Sequence, residues 1–362
     1  MTQRERQILD LLEENPMISQ EELSEILGIA RSSVAVHISH LIKKGCIVGR
    51  GYVLRSGTYA VVVGGANVDI GGRSWDALVP ADSNPGLVST SLGGVGRNIA
   101  HTLSLLGADV RMLTAYGDDL NGQQLCAACA AAGIDMTNAL KLRDDRTSTY
   151  LYITGPDGDM ALAVSDMTIC ERITPEYLAA NFGLLQNARV IVCDTNIPAE
   201  SLEYLAKNCS APIFCDPVST VKAEKLRPIL GKIHTLKPNR MEAELLTGIP
   251  IRDKADVEKA AQKLLSMGIR RVFISLGGDG IYAASHEESC WLDPLPCRMV
   301  NTTGCGDSVM AALVWAYLED LSLPESALAG LAAGSITIES TETISPMMSA
   351  EMLRERMDTS RN

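Results

Sequence analysis

The stretch TYAVVVGGANVDI, residues 58–70, has an unbroken apolar run directly before two glycines and a polar loop. A short, valine-rich run bounded by glycine is typical of a strand buried on both faces. Comparable runs recur downstream and alternate with helical stretches: VRMLTAYG, ARVIVCD, PIFCDP, HTLKPN and RRVFISLGG. Strands that alternate with helices predict an α/β fold, with a mostly parallel sheet between two helical layers.

The composition limits the classes of protein to consider. With 362 residues, 46% hydrophobic and 21% charged, the chain has room for one large domain and a smaller one. Its formal net charge of -12 excludes a protein that coats nucleic acid by bulk electrostatic attraction. No apolar run approaches the roughly 20 residues of a membrane span, so we expect no membrane partner. The ten cysteines are scattered and the N-terminus lacks a secretory core, so a reducing cytoplasm is expected.

The first 56 residues differ in pattern from the rest. RERQILDLLEENP, SQEELSEILGI and ARSSVAVHISHLIKKG each predict an amphipathic helix, and Ser19 with Glu22 predicts a capping box at the second. CIVGRGYVL then predicts two short strands. Three helices followed by a hairpin resemble a winged helix-turn-helix domain over residues 1–56.

The basic residues of this module lie in its second half. Residues 31–55 contain five basic residues and no acidic one, whereas the acidic residues lie in the first two helices. The resemblance implies that the third helix enters the major groove of DNA. It makes Ser32, Ser33, His37 and His40 groove-facing residues, and Lys43, Lys44 and Arg50 phosphate contacts. A module that contacts protein, for oligomerisation or regulation, is the alternative.

The second informative stretch is NTTGCGDSVMAALVWAYL, residues 301–318. Two glycines and one carboxylate stand at the start of an apolar helix. The unpaired N–H groups and positive dipole end of a helix start bind anions such as phosphate. Asp307 either caps this helix or acts on a bound ligand, and the stretch alone leaves both open.

Together with SLGGVGRNIAHTLSLLGADV, residues 91–110, this stretch resembles the two signatures of the PfkB, or ribokinase-like, family of carbohydrate and nucleoside kinases. The loops GGANVD, KPNRMEAE and SLGGDG also occur in the family's order. The resemblance implies a three-layer α/β/α kinase domain over residues 59–355, with a small β lid from segments of about 72–92 and 147–165. It implies transfer of the γ-phosphoryl group of ATP to a sugar hydroxyl, and the lid predicts a homodimer.

The resemblance also implies roles for individual residues. Asp307 becomes the catalytic base, because phosphoryl transfer needs a group that takes the proton of the attacking hydroxyl. The anion hole becomes Gly304, Cys305 and Gly306. The acceptor-binding residues become Asn67, Asp69, Gly93, Gly94, Asn98 and Asn196. The ATP-binding residues become Asn239, Ser275, Gly277 and Gly280, and Glu242 becomes the group that organises Mg²⁺ through water. Many family members have Asp where this chain has Asn301, which leaves a K⁺ requirement open.

The acceptor is predicted from longer segments. ADSNPG, GGVGRNIA, DTNIP, FCDPVS and HTLKPNRMEAE look most like pseudouridine kinases and their close bacterial relatives, in which the acceptor is the ribose 5′-hydroxyl. Another nucleoside, a free pentose or a free hexose are alternatives. A further alternative is a transcription regulator that keeps the kinase fold as a ligand sensor. The intact base and anion hole favour a working enzyme.

Overall fold

The computed structural model describes residues 1–47 and 58–359. The chain begins with three helices, α1 (Gln3–Glu14), α2 (Gln20–Leu27) and α3 (Arg31–Lys43). Ser19 and Glu22 form the predicted capping box at the start of α2. The three helices pack around a small core of their own, made by Ile8, Leu12, Ile18, Leu23, Val34, Ile38, Leu41 and Ile47. Arg50 and most of the predicted wing lie outside the described residues.

Nine strands of the described chain form the main sheet. In order across it they are β15 (Ser289–Leu292), β14 (Ile281–Ser285), β13 (Arg271–Ser275), β12 (Thr235–Leu236), β11 (Ile213–Asp216), β10 (Val190–Asp194), β1 (Ala60–Val63), β4 (Val110–Leu113) and β6 (Ile134–Asp135). The strands from β13 to β6 pair in parallel, and β14 and β15 add an antiparallel edge.

Helices cover both faces of this sheet. One layer contains α4 (Val95–Leu105), α5 (Leu120–Ala131), α12 (Cys305–Leu318), α13 (Leu323–Ile338) and α14 (Ala350–Thr359). The other contains α6 (Pro175–Ala180), α7 (Phe182–Asn187), α8 (Ala199–Asn208), the short α9 (Thr220–Ala223), α10 (Arg240–Thr247) and α11 (Lys254–Ser266). Alternate residues of β1 pack into different layers, Val62 into the first and Val61 into the second. The predicted three-layer α/β/α architecture is confirmed.

A second sheet has four strands, in the order β3 (Gly86–Gly93), β2 (Asn67–Ser74), β8 (Thr149–Thr154) and β9 (Met160–Asp166). We call it the lid sheet; it overlaps the segments expected for the lid. A separate parallel pair joins β5 (Ala115–Gly117) and β7 (Leu140–Leu142). One face of the lid sheet carries exposed apolar residues: Leu151, Ile153, Leu162 and Val164.

The order of the strands determines where a ligand binds. From β1 the chain moves to β4 and β6 on one side, and it later returns to β10 on the other side. Neighbouring loops diverge at such a switch point and leave a crevice at the carboxyl ends of the strands. Asp194 ends β10, Asp216 ends β11 and Lys237 directly follows β12 at this edge. Within the described residues, no helix has the length and apolar character to cross a membrane.

Candidate active site

Asp307 lies in the first turn of α12 and contacts the start of α4. Gly304, with φ +79°, is the N-cap of α12, so Asp307 does not cap the helix. Its Oδ2 accepts a hydrogen bond of 2.7 Å from Nδ2 of Asn98. A Cβ atom at Gly304 would lie 2.2 Å from the carbonyl oxygen of Thr343, so this position requires glycine. The two glycine motifs of the sequence therefore meet at one carboxylate.

The start of α12 is suited to bind an anion. N–H groups in the first turn, including that of Gly306, have no acceptor within the helix. A Cβ atom at Gly306 would lie 3.5 Å from Nζ of Lys237, so an ammonium group stands beside these N–H groups. Burial raises the pKa of the Cys305 thiol to about 11, which keeps it neutral. The main-chain N–H groups of this turn and the Lys237 ammonium therefore place positive charge together at the predicted anion hole.

Lys237 belongs to a buried group of charges that the sequence interpretation did not include. Its ammonium lies 3.1 Å from Oδ2 of Asp216, and each side chain is less than a tenth exposed. Asp194 accepts hydrogen bonds from the N–H groups of Gly65, at 2.9 Å, and Gly96, at 2.7 Å. Asp194 thus joins the loop after β1 to the start of α4. In the sequence, these residues could have been recognised as charged residues at or directly after the end of an apolar strand.

This surrounding charge affects the proton affinity of Asp307. Burial raises the pKa of its carboxyl to about 7, and the negative charges of Asp216 and Asp194 add to the rise. The hydrogen bond from Asn98 and the charge of Lys237 oppose it. A carboxylate with a pKa near the working pH is well matched to take a proton from an alcohol and release it afterwards.

The predicted acceptor-binding residues lie on both sides of the crevice. Nδ2 of Asn67 donates to Oδ1 of Asp69 at 2.6 Å, and burial raises the pKa of Asp69. Gly93 pairs with Asn67 across the lid sheet, and a Cβ atom there would lie 2.3 Å from the Asp69 carboxylate. Gly94 is the N-cap of α4, the helix that carries Asn98. Polar groups of this kind suit a polyol.

Asn196 is buried against Gly65, next to Asp194. Its side-chain oxygen accepts from Nζ of Lys222, and its main-chain N–H donates to Oδ1 of Asp194 at 2.8 Å. Its amide oxygen is therefore engaged by a lysine. The amide NH₂ group and the second lone pair of the oxygen are left for a ligand.

Asn239 and Glu242 form the capping box of α10. Oδ1 of Asn239 accepts from the Glu242 N–H at 2.9 Å, and Oε2 of Glu242 accepts from the Asn239 N–H at 2.8 Å. Glu242 is buried, which raises its pKa, while Lys237 opposes that rise. The cap uses one carboxylate oxygen and leaves the other. Buried carboxylate oxygens on Glu242 and nearby Asp216 are the hard ligands that Mg²⁺ prefers, so these residues fit the ion.

The other residues predicted to bind ATP lie at or after the end of β13, next to this cap. Asn239 and Ser275 form an isolated parallel bridge. Gly277 and Gly280 flank a tight turn after β13. Farther along, the Asn301 amide connects two loops, since its Oδ1 accepts from the Thr303 N–H at 3.0 Å and its Nδ2 donates to the Thr341 carbonyl at 3.3 Å.

A cavity of about 890 Å³ opens between the lid sheet, α4 and the loop of residues 341–344. Asp69, Arg97, His101, Tyr150 and Tyr152 contribute to its wall. Arg97 is buried and lies within electrostatic range of both Asp69 and Asp307. The cavity therefore extends from Asp69, one of the predicted acceptor-binding residues, along α4 and beneath the lid sheet. The sequence interpretation did not name Arg97 or His101.

The predicted DNA contacts differ in exposure. On α3, Ser32, His40 and Lys43 are exposed, whereas Ser33 and His37 are partly buried. The Lys44 ammonium lies 2.8 Å from the carboxylate of Glu5, which is buried. That ion pair links α3 to α1 and competes with a phosphate contact by Lys44.

Comparison with known proteins identifies both parts of the chain. Residues 58–350 match the family described as pfkB family carbohydrate kinase, and residues 1–48 match the winged helix-turn-helix DNA-binding family. The pseudouridine kinase of Escherichia coli (strain K12) is 40% identical over 298 residues, covering 82% of this chain and 95% of its own. The uncharacterized sugar kinase YeiI of the same strain is 38% identical over 353 residues, covering 97% of this chain and 98% of its own. The structure of a carbohydrate kinase from Agrobacterium tumefaciens matches with a TM-score of 0.74 and 30% identity, covering 83% of this chain and 97% of its own.

Proposed function

Because the chain belongs to the pfkB family of carbohydrate kinases, we propose that it phosphorylates the 5′-hydroxyl of a nucleoside, with pseudouridine as the leading acceptor. The family makes it a phosphotransferase with an alcohol acceptor, acting on a sugar or nucleoside. The similarity to a pseudouridine kinase supports the narrower assignment. A similarly close relative is described as a sugar kinase, so a free pentose or hexose is the competing acceptor, along with another nucleoside.

The observation that carries the proposal is the contact between Asp307 and Asn98 beside the start of α12. The acceptor hydroxyl gives its proton to Asp307, and its oxygen forms a bond to the γ-phosphorus of ATP. The bond from that phosphorus to the β,γ-bridging oxygen breaks, and ADP leaves with the electron pair. The first-turn N–H groups and the Lys237 ammonium stabilise the charge on the transferred group.

The other residues bind and orient the two substrates. Asn67 and Asp69 offer donors and acceptors to the ribose hydroxyls. Asn239, Ser275, Gly277 and Gly280 border the nucleotide. Glu242 and Asp216 would hold Mg²⁺, which when bound supplies positive charge to the phosphates.

The test is a kinase assay with the full chain and a panel of acceptors. The panel contains pseudouridine, uridine, inosine, guanosine, ribose and fructose, and ADP release is measured with ATP and Mg²⁺. We expect the highest kcat/KM for pseudouridine and a product phosphorylated at the 5′ position, identified by NMR. A chain that phosphorylates only free sugars would refute the nucleoside assignment.

We also propose that the N-terminal domain binds DNA through α3. The exposed Lys43 and His40 support this, because phosphate contacts require accessible cations. With the N-terminal and kinase domains together, Lys43→Glu should weaken binding to promoter DNA. The slope of log affinity against log salt concentration should fall by about one, the equivalent of one released counterion. Lys263→Glu, on the exposed face of α11, is the control. An absence of binding even at low salt would instead support a module that contacts protein.

We further propose a homodimer formed through the outer face of the lid sheet. Leu151, Ile153, Leu162 and Val164 are 36% to 61% exposed and lie side by side on neighbouring strands. Contiguous exposed apolar surface of this kind marks an association site. Sedimentation should show a dimer that Leu162→Asp converts to a monomer, while Leu120→Asp, on α5, leaves it intact. A wild-type monomer at micromolar concentration would contradict this.

A further inference from the structure

His101, on the wall of the cavity beneath the lid sheet, is held by Arg97 one helical turn earlier. Nη1 of Arg97 lies 3.3 Å from Nδ1 of His101. The rest of the guanidinium donates to neighbouring acceptors: Nε to the carbonyl of Gly93, and Nη2 to the carbonyl of Leu92 and the side-chain oxygen of Asn98. With four partners and a buried side chain, Arg97 has a defined orientation.

This contact fixes the protonation pattern of the imidazole. A guanidinium has N–H donors and no acceptor, so Nδ1 of His101 must accept. Burial lowers the pKa of His101, and the positive charge of Arg97 lowers it further, which favours the neutral ring that this contact requires. A neutral ring whose Nδ1 accepts carries its proton on Nε2. His101 therefore offers one N–H donor and no second acceptor.

The cavity has the shape and chemistry to hold more than a sugar. Its volume of about 890 Å³ is near the upper end of the range for small-molecule sites. Tyr150 and Tyr152 project into it from β8, with ring centroids 5.8 Å apart, and Tyr152 packs over Gly71. Flat aromatic walls suit a planar heterocycle. The region next to the sugar site thus combines aromatic surface with a fixed N–H donor.

We propose that Nε2–H of His101 donates a hydrogen bond to a carbonyl oxygen of the acceptor's base, which makes His101 a residue that selects nucleosides with such a base. This rests on the proposed nucleoside kinase activity. Arg97 acts as the positioning residue, because its contact with Nδ1 leaves the proton of the imidazole on Nε2. A base that presents an N–H group instead of a carbonyl at this point meets a second donor and is disfavoured.

The test compares His101→Phe, which keeps a flat ring without the donor, with His101→Gln, which restores an N–H donor. In His101→Phe the KM for pseudouridine should rise about 10- to 100-fold, the loss expected when a buried carbonyl is left without a partner. His101→Gln should recover most of that loss. The KM for ATP should stay within about twofold of wild type in both, since a local loss at the base does not reach the nucleotide side. His286→Phe, on an exposed turn after β14, is the control for replacing a histidine.

Different results would contradict the role of His101 and the nucleoside kinase activity. An unchanged pseudouridine KM in His101→Phe, or a parallel rise in the KM for ATP, would overturn the role of His101 while leaving the kinase assignment intact. A wild-type chain that phosphorylates ribose and no nucleoside would overturn the proposed function itself.

Discussion

Replacing Asp307 with asparagine is expected to slow the reaction and to stabilise the fold at alkaline pH. Asparagine keeps the size of the side chain and the oxygen that accepts from Asn98, but it cannot take a proton. Loss of a general base typically costs about 10²- to 10⁴-fold in rate. The effect on stability has the opposite direction, because the wild-type carboxylate bears a charge that its surroundings disfavour.

The magnitude follows from the pKa of about 7 for Asp307 in the folded protein, against an ordinary value of 3.8 for an aspartate in the unfolded chain. Each unit of difference corresponds to about 1.4 kcal/mol between the two protonation states. Below pH 4 the carboxyl is protonated in both states and carries no penalty. As pH rises from 4 to 7, only the unfolded chain ionises freely, so the folded state loses up to about 4 kcal/mol. Asparagine avoids this loss. The stability of Asp307→Asn relative to wild type should therefore grow by about 2 to 3 kcal/mol between pH 5 and pH 8.

Urea denaturation at the two pH values measures this difference. The three tryptophans, Trp75, Trp291 and Trp315, all lie in the segment that matches the kinase family, so their fluorescence reports its unfolding. Titrations of groups that do not interact with Asp307 occur in both proteins and cancel in the comparison. A stability gap that does not change between pH 5 and pH 8 would refute the raised pKa. An undiminished rate would refute the role of Asp307 as base.

Three other predictions concern the charges around Asp307. Lys237→Met should lower kcat about 10²- to 10³-fold, because it removes the cation beside the anion site. The variant also leaves the buried Asp216 without its ion pair, which should destabilise the fold. Adding Asp216→Asn should therefore recover the stability of Lys237→Met but not its rate. Asn98→Ala removes a hydrogen bond that lowers the pKa of Asp307, so the pH at which kcat falls to half on acidification should rise. The control Asn208→Ala, on α8, should leave that pH unchanged. A lower half-maximal pH in Asn98→Ala would contradict this prediction. Asn301 is neutral and its amide is engaged by Thr303 and Thr341, so equal rates are expected in KCl and NaCl, and a strong preference for K⁺ would show that a cation site forms without an aspartate.

The sequence predicted the parts of the site that have local patterns. The order of strands and helices was readable because buried strands and amphipathic helices have distinct apolar periods. Asp307 and Asn98 stood out because glycine-rich turns before helices are short and recognisable. The sequence also contains the capping-box pattern of α10, an Asn at 239 followed three residues later by Glu242. The sequence interpretation assigned this pair to the nucleotide site alone.

The remaining parts depend on contacts between distant segments. Asp194, Asp216 and Lys237 come from three strands, and their mutual charges became evident only when the sheet placed the strand ends together. The raised pKa of Asp307 is a property of that assembly and not of the GCGD motif. The tautomer of His101 likewise depends on the rotamer of Arg97, which residue spacing does not determine.

The short connection between the two sheets divides the candidate site between them. The chain leaves the main sheet after Val63 and enters the lid sheet at Asn67. Asn67 and Asp69 therefore belong to the lid sheet, whereas Lys237 follows a strand of the main sheet and Asp307 lies on α12, which packs against that sheet. An acceptor large enough to contact both sheets can therefore reach Asn67, Asp69 and Asp307 together, whereas a water molecule is too small to do so. We expect this division to keep ATP hydrolysis slow when no acceptor is bound.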